Sequence, residues 1–242
     1  MKIITFASWK GGTGKTSLAT ACIETLAKQG KHILIIDLDS NMSISSVYNK
    51  VGLNGTFIEL LNGNINLLSY VIHSDIYIIP SDLKIARLNN ISDRVLKNNL
   101  KKYLLGKNNE RVRDGNIDYI FIDPPGTMNA LTRNAMIAAD KIIIPTMFSD
   151  IDFRATKLIF EEMEMCGVTA DVQIVLNRFD EKRNSQGIEN QFRNDEQFKD
   201  FLWSGRIPAM RSISRLTSEL PEYSLSGRAK QIIENFVNEV IK

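Results

Sequence analysis

Lys10-Gly11-Gly12-Thr13-Gly14-Lys15-Thr16-Ser17 stands between a short apolar run, Ile3–Ala7, and a segment of helical periodicity, Thr16–Gln29, and no other stretch restricts the fold as strongly. Glycines at 11, 12 and 14 let the backbone wrap a polyphosphate with its N–H groups pointing inward, and a helix that starts at once adds the positive end of its dipole. Lys15 would reach the β- and γ-phosphates, and the Thr16 hydroxyl would sit on Mg²⁺. Gly11, Gly12, Thr13, Gly14 and Ser17 would complete the cradle. A strand running through such a loop into a helix is a unit of α/β architecture.

The rest of the chain repeats that alternation. Short β-branched or apolar runs occur at Ile33–Asp37, Ile76–Ile79, Tyr119–Asp123, Lys141–Pro145 and Val172–Asn177, with a weaker one at Arg206–Pro208. Helical patterns cover Phe153–Cys166, Ile188–Leu202 and Arg228–Ile241, and the polar stretch Asn89–Asn116 has room for one at Ser92–Leu105. Runs as continuously apolar as IYII, YIFI and KIII are buried on both faces, so the expected fold is a doubly wound, mainly parallel β-sheet flanked by helices. No repeat, linker or composition break divides the chain, and one domain over 1–242 is expected.

Composition narrows the function. Thirty basic residues against 28 acidic ones leave a net charge of +2, too little for permanent coating of a nucleic acid. Cys22 and Cys166 lie too far apart in sequence for a CxxC metal or redox motif and read as small core residues. No run approaches the roughly 18 uncharged apolar residues of a membrane span, and the opening apolar stretch is shorter than a signal-peptide core. A cytoplasmic protein is the expectation.

Three carboxylates fall at expected strand ends, where doubly wound sheets bind ligands. Asp37 and Asp39 close the second strand on the same side of it, each with a turn or cap role as the plainer alternative. Asp123 follows four apolar residues and precedes Pro124-Pro125-Gly126, the arrangement that holds Mg²⁺ near a phosphate loop.

The loop departs from the common G-x-x-x-x-G-K-[ST] pattern, having Trp9 where glycine is usual. As K-G-G-x-G-K-T it resembles the deviant Walker A motif of the ParA/MinD family of ATPases. The resemblance continues through Asp37-Leu38-Asp39, Pro124-Pro125-Gly126, Leu131–Ala135, Ala138–Pro145 and Asp152-Phe153, the last pair being similar to short plasmid-type ParA proteins. It implies that Lys10 crosses an ATP-dependent homodimer to the partner's phosphates, that Asp39 positions or deprotonates the attacking water, and that Asp37 supports the metal region or the adjacent backbone. Ser40 and Asn41 stand where the family commonly has Pro and Gln. By the same resemblance, Asn177 and Arg178 are placed like the adenine-reading residues, and Pro208 like the loop that closes over the base.

The family does not choose its own cargo. The resemblance implies a partition ATPase, bacterial and nucleoid-associated, that binds nonspecific DNA as an ATP dimer and is controlled by a ParB-like centromere-binding protein. Between Arg206 and Lys230 there are five basic residues against two acidic ones, so Arg206, Arg211, Arg215 and Arg228 are candidate DNA contacts, with a second cluster over Arg94–Arg113. A solvated face is the plainer reading of either cluster. A MinD-like positioning ATPase acting on a membrane or protein complex is the alternative, and an idle nucleotide-dependent scaffold a third. Lys230 and Lys242 face Glu234 and Glu239 in the last helix, so its polar face is not basic and no membrane anchor is expected. The chain starts at its first strand, so no N-terminal helix-turn-helix and no specific operator binding are expected.

Overall fold

The computed structural model describes residues 1–48, 51, 55–61, 70–73, 75–90, 99–104, 117–180, 186–219 and 225–242. Eight strands form one sheet: β1 (Lys2–Phe6), β2 (Ile33–Asp37), β3 (Tyr70–His73), β4 (Ile76–Ile79), β5 (Tyr119–Asp123), β6 (Lys141–Thr146), β7 (Asp171–Phe179) and β8 (Ile207–Pro208). Their order is β3-β4-β2-β5-β1-β6-β7-β8. Every pairing is parallel except that of β3 with β4. The expected strands are therefore present, and β3 is an antiparallel edge that the sequence reading did not contain. Four β-branched or aromatic residues just before another strand carry too little periodicity to be separated from it.

The helices are α1 (Lys15–Ala27), α2 (Ser43–Val47), α3 (Phe57–Leu61), α4 (Asn99–Leu104), α5 (Ala130–Ala138), α6 (Asp150–Cys166), α7 (Gln186–Asn194), α8 (Arg211–Glu219) and α9 (Gly227–Phe236), with a 3₁₀ segment at Leu83–Asn90 and a terminal π turn at Val237–Ile241. Caps explain where several begin and end. Ser149 accepts the N–H of Asp152 at 3.2 Å, so α6 starts three residues before the expected Phe153, and Gly167 at φ 65° stops it. Asn129 caps α5 through the Thr132 N–H at 3.0 Å.

The helix expected over Ile188–Leu202 is shorter. Asp195 accepts the Gln197 N–H at 2.9 Å and turns the chain, after which the Phe201 carbonyl accepts from Ile174 and Trp203 donates back to it. The short β8 leaves part of the β7 edge unpaired, and this segment covers it. Of the expected Ser92–Leu105 helix only α4 is described, since residues 91–98 and 105 lie outside the described residues.

Both sheet faces are covered. One layer packs α1, α2, α8 and α9 against Ile4, Phe6, Ile33, Ile35 and Phe121. On the other, α5 and α6 bury Leu131, Ala135, Phe153 and Ile159. Ile233, Phe236, Val237, Val240 and Ile241 are all at most 2% exposed, so the apolar side of the C-terminal helix lies in the core. Among the described residues no helix is long and apolar enough to cross a membrane.

Candidate functional site

Because β1 lies at the centre of the sheet with β5 and β6 beside it, the loop leaving its C-terminal end emerges at the topological switch point, flanked by the ends of β2, β5 and β7. Gly12 (φ 82°) and Gly14 (φ 92°) carry the chain round in a region that L side chains avoid, and Gly14 is the N-cap of α1. Trp9, at the position where glycine is usual, packs its ring into the cluster that holds Ala7, Met136 and Phe153. Gly126 lets the Pro124-Pro125-Gly126 turn back onto the loop: a Cβ there would stand 3.3 Å from Gly11 Cα and 3.4 Å from Lys15 Nζ.

Lys15 is 8% exposed, and its Nζ donates to Ser8 Oγ at 3.2 Å, while Ser8 donates to the Lys10 carbonyl at 2.8 Å. Burial lowers the pKa of the ammonium, opposed by Asp123 and Asp39 nearby. Among the described residues the one hydrogen bond of this lysine is to Ser8, which leaves the ammonium donors for an incoming anion. The sequence reading did not single out Ser8.

Asp37 and Asp123 are register partners on adjacent parallel strands. Burial, with the charge of Asp123 adding to it, lifts Asp37 to about 7, against hydrogen bonds that favour the anion. Burial lifts Asp123 to about 6, opposed by Lys15 and by the Thr16 hydroxyl. Thr16 Oγ1 donates to Asp123 Oδ2 at 2.9 Å, and Asp123 Oδ1 is buried with no hydrogen-bond partner. That orphaned oxygen beside a hydroxyl fits a hard divalent cation. Among the described residues there is no group of three His, Cys, Asp or Glu able to hold a metal by itself, so phosphate and water oxygens would have to complete the shell.

The two carboxylates of β2 and its exit differ in exposure. Asp39 is half-buried, and its Oδ1 accepts the Asn41 N–H at 2.9 Å in an Asx turn. Asp37 is fully buried, and both its oxygens accept hydrogen bonds from Asp39 and Ser45. The metal-binding expectation for Asp37 thus meets a side chain already engaged in holding backbone.

Lys10 is half-exposed and pairs with Asp152 of its own chain at 3.4 Å, at the start of α6. Asp152 is 2% exposed and also accepts the Ser149 hydroxyl. The sequence reading noted Asp152 only through its resemblance, with no role attached.

Beyond the phosphate loop a recess of about 360 Å³ is lined by Gly14, Ser17, Asn177, Arg178, Pro208, Met210, Arg211 and Ile213. Asn177, expected to read a base, directs its amide at protein: Nδ2 donates to the Thr13 carbonyl at 2.7 Å and Oδ1 accepts the Arg178 N–H at 3.0 Å. One amide hydrogen and one lone pair remain to it. Arg178 has φ 58°, a left-handed conformation that bulky residues rarely adopt.

The four arginines proposed for DNA are dispersed. Arg206 lies over the Phe179 ring at 4.5 Å and pairs with Glu189 at 3.0 Å, so it is bound into the protein. Arg211 lines the recess. Arg215 on α8 and Arg228 at the start of α9 are exposed. Of the Arg94–Arg113 cluster, Lys101 pairs with Asp140 at 3.4 Å, and Arg94, Lys97, Lys107, Arg111 and Arg113 lie outside the described residues.

A phosphate loop at a switch point, with a buried lysine and a strand-end carboxylate around it, defines a P-loop nucleoside triphosphatase fold. The chain belongs to the ParA/MinD family of deviant Walker A ATPases, with residues 1–174 matching the AAA domain family AAA_31. It is 26% identical over 257 aligned positions to the chromosome partitioning protein ParA of Caulobacter vibrioides, covering 100% of this chain and 94% of that one. The cell division protein PomZ of Myxococcus xanthus is 28% identical over 184 positions, 72% of this chain and 56% of PomZ. The chain spans about 55% of the length of the first curated relatives that it matches. In three dimensions it superposes on a putative plasmid partition protein of Borrelia burgdorferi bound to AMPPNP, with a TM-score of 0.79, 24% identity and coverage of 98% and 97% of the two chains.

Proposed function

We propose that this chain binds and slowly hydrolyses ATP as a partition ATPase: it dimerises on ATP, binds nonspecific DNA in that state, and returns to the ADP form under a ParB-like partner. The observation that carries the reading is the joint placement of Lys15, Thr16 and Asp123 around one loop, with Lys10 half-exposed at its rim. The AMPPNP of the Borrelia neighbour supports a nucleoside triphosphate as ligand.

Loop N–H groups and the α1 N-terminus bind the phosphates, and Lys15 stabilises charge on the transferring group. Thr16 and Asp123 would hold Mg²⁺, which would supply neutralisation of phosphate charge there. Asp39, on a turn beside the loop, orients the water for in-line attack. Lys10 leaves Asp152 to reach the phosphates of a second copy. The lysine so freed is half-exposed, and the Asp152 carboxylate left behind, 2% exposed, keeps the Ser149 hydroxyl as donor. Asp37 contributes through backbone, and the recess beside Asn177 and Pro208 takes the base.

Sedimentation of the wild type, Lys10→Ala and Asp39→Ala with ATP tests the scheme. The wild type dimerises, Lys10→Ala remains monomeric, and Asp39→Ala accumulates as dimer with phosphate release slowed about 100-fold or more but still measurable. A monomeric Asp39→Ala beside a dimeric wild type contradicts it. Gel shifts on DNA and pelleting with anionic liposomes, each with ATP and ADP, decide between DNA and membrane cargo.

A further inference from the structure

We propose that Ser45 is a positioning residue for hydrolysis, acting through the buried Asp37 carboxylate to fix the backbone that carries Asp39. This rests on the reading of Asp39 as the group that orients water.

Asp37 and Ser45 are both 0% exposed, and Asp37 faces another carboxylate, Asp123, across the strand pair. A carboxylate in that setting is tolerated only when donors surround it. Oδ1 accepts the Asp39 N–H at 2.9 Å, while Oδ2 accepts both the Ser45 N–H at 3.0 Å and the Ser45 hydroxyl at 2.5 Å. The Ser45 oxygen in turn accepts the Ser81 N–H at 3.0 Å, just beyond β4. Because a backbone N–H only donates, the serine is left to donate its own hydrogen to Asp37.

The consequence is a closed loop. Met42, at the cap position of α2, has φ 53° and makes no side-chain cap bond, so Asp37 takes the place of the missing cap by accepting the N–H of the third residue of the helix. At the other end the same carboxylate holds the N–H of Asp39, whose carbonyl accepts from Met42 at 2.8 Å. Ile44, Val47 and Tyr48 anchor α2 in the core, and the Tyr48 hydroxyl donates to Glu24 of α1 at 3.0 Å. Asp39 is therefore located from the core outward, through α2, Ser45 and Asp37. Ser45→Ala removes the hydroxyl donor and orphans the Ser81 N–H, which frees Asp37 to turn and Asp39 to shift.

Misplacement of a catalytic group by about 1 Å costs up to about 100-fold in rate, so Ser45→Ala is expected to lower kcat about 10- to 100-fold with KM and ATP affinity within about threefold of wild type. Ser46→Ala, at an exposed neighbour whose hydroxyl donates to the Met42 carbonyl at 2.8 Å, keeps wild-type turnover. In an Asp39→Ala background Ser45→Ala has no further effect, which a purely structural role would not produce. Wild-type turnover by a Ser45→Ala protein that binds ATP normally overturns the proposal, as does an equal loss with and without Asp39. Should Ser45→Ala not fold, Ser45→Cys, similar in size and a weak donor, carries the same measurements. Wild-type turnover by Asp39→Ala is a different failure: it removes the reading of Asp39 on which the proposal rests.

Discussion

Gly14→Ala tests how tightly the phosphate loop is fitted to the strand beside it. Two costs add. At φ 92° an L side chain is disfavoured by about 1–2 kcal/mol. The new Cβ would also stand 2.4 Å from Asn177 Nδ2, a distance that forces the amide away from the Thr13 carbonyl it holds at 2.7 Å. Asn177 is 5% exposed, so the carbonyl and amide lose a buried hydrogen bond worth about 1–3 kcal/mol. Together Gly14→Ala is expected to destabilise the nucleotide-free chain by about 2–5 kcal/mol, a large share of the 5–15 kcal/mol typical of a domain. The steric half is separable. Asn177→Ala removes the atom that is struck, so in a double-mutant cycle by urea unfolding the double variant is more stable than the sum of the singles implies, by about 1–3 kcal/mol. A Gly14→Ala protein within about 0.5 kcal/mol of wild type refutes the reasoning, and additive single effects refute the contact between loop and amide.

Asp37 at about 7 and Asp123 at about 6 make the nucleotide-free fold pH-dependent. Both values lie above those of the unfolded chain, so the folded state binds the extra protons, and this stability is complete below about pH 4 and lost as pH rises through 6 to 7. Two pKa units at Asp123 correspond to about 3 kcal/mol, and Asp123→Asn should flatten the fall in thermal midpoint between about pH 4 and pH 6.5; an unchanged profile would refute it. Arg206→Ala should cost stability, on the order of 1 kcal/mol for the Phe179 contact, and leave DNA affinity little changed, whereas Arg228→Ala weakens DNA binding and its salt dependence. Fluorescence anisotropy at two salt concentrations checks this, and a larger loss from Arg206→Ala would reverse the assignment. Lys15→Ala should abolish ATP binding with little loss of fold, since among the described residues its ammonium donates only to Ser8; calorimetry showing wild-type affinity would contradict the phosphate role.

Local sequence carried the elements that depend on local physics. The glycines of the loop, the apolar parallel strands and the capped α6 follow from backbone freedom, burial on both faces and side-chain capping, all of which act over a few residues. Boundaries went astray where a tertiary partner overrode the pattern. The polar helix expected to reach Leu202 stops at Asn194 because the β7 edge captures Phe201 and Trp203. Ser8, Ser45 and the role of Asp152 were invisible because a serine or an aspartate has no periodicity, and its meaning lies in what faces it.

Residue order alone implies that a strand feeds a phosphate loop into a helix, and that carboxylates end the strands around it. What each of those groups is free to do depends on the surrounding fold. It engages both oxygens of Asp37 and leaves one oxygen of Asp123 unpartnered, it turns Asn177 toward the loop it braces, and it binds Arg206 to an aromatic ring and a buried glutamate. The reason is physical: residue type fixes which hydrogen bonds and charges a side chain offers, whereas burial and the partners brought from distant strands fix which remain for a ligand.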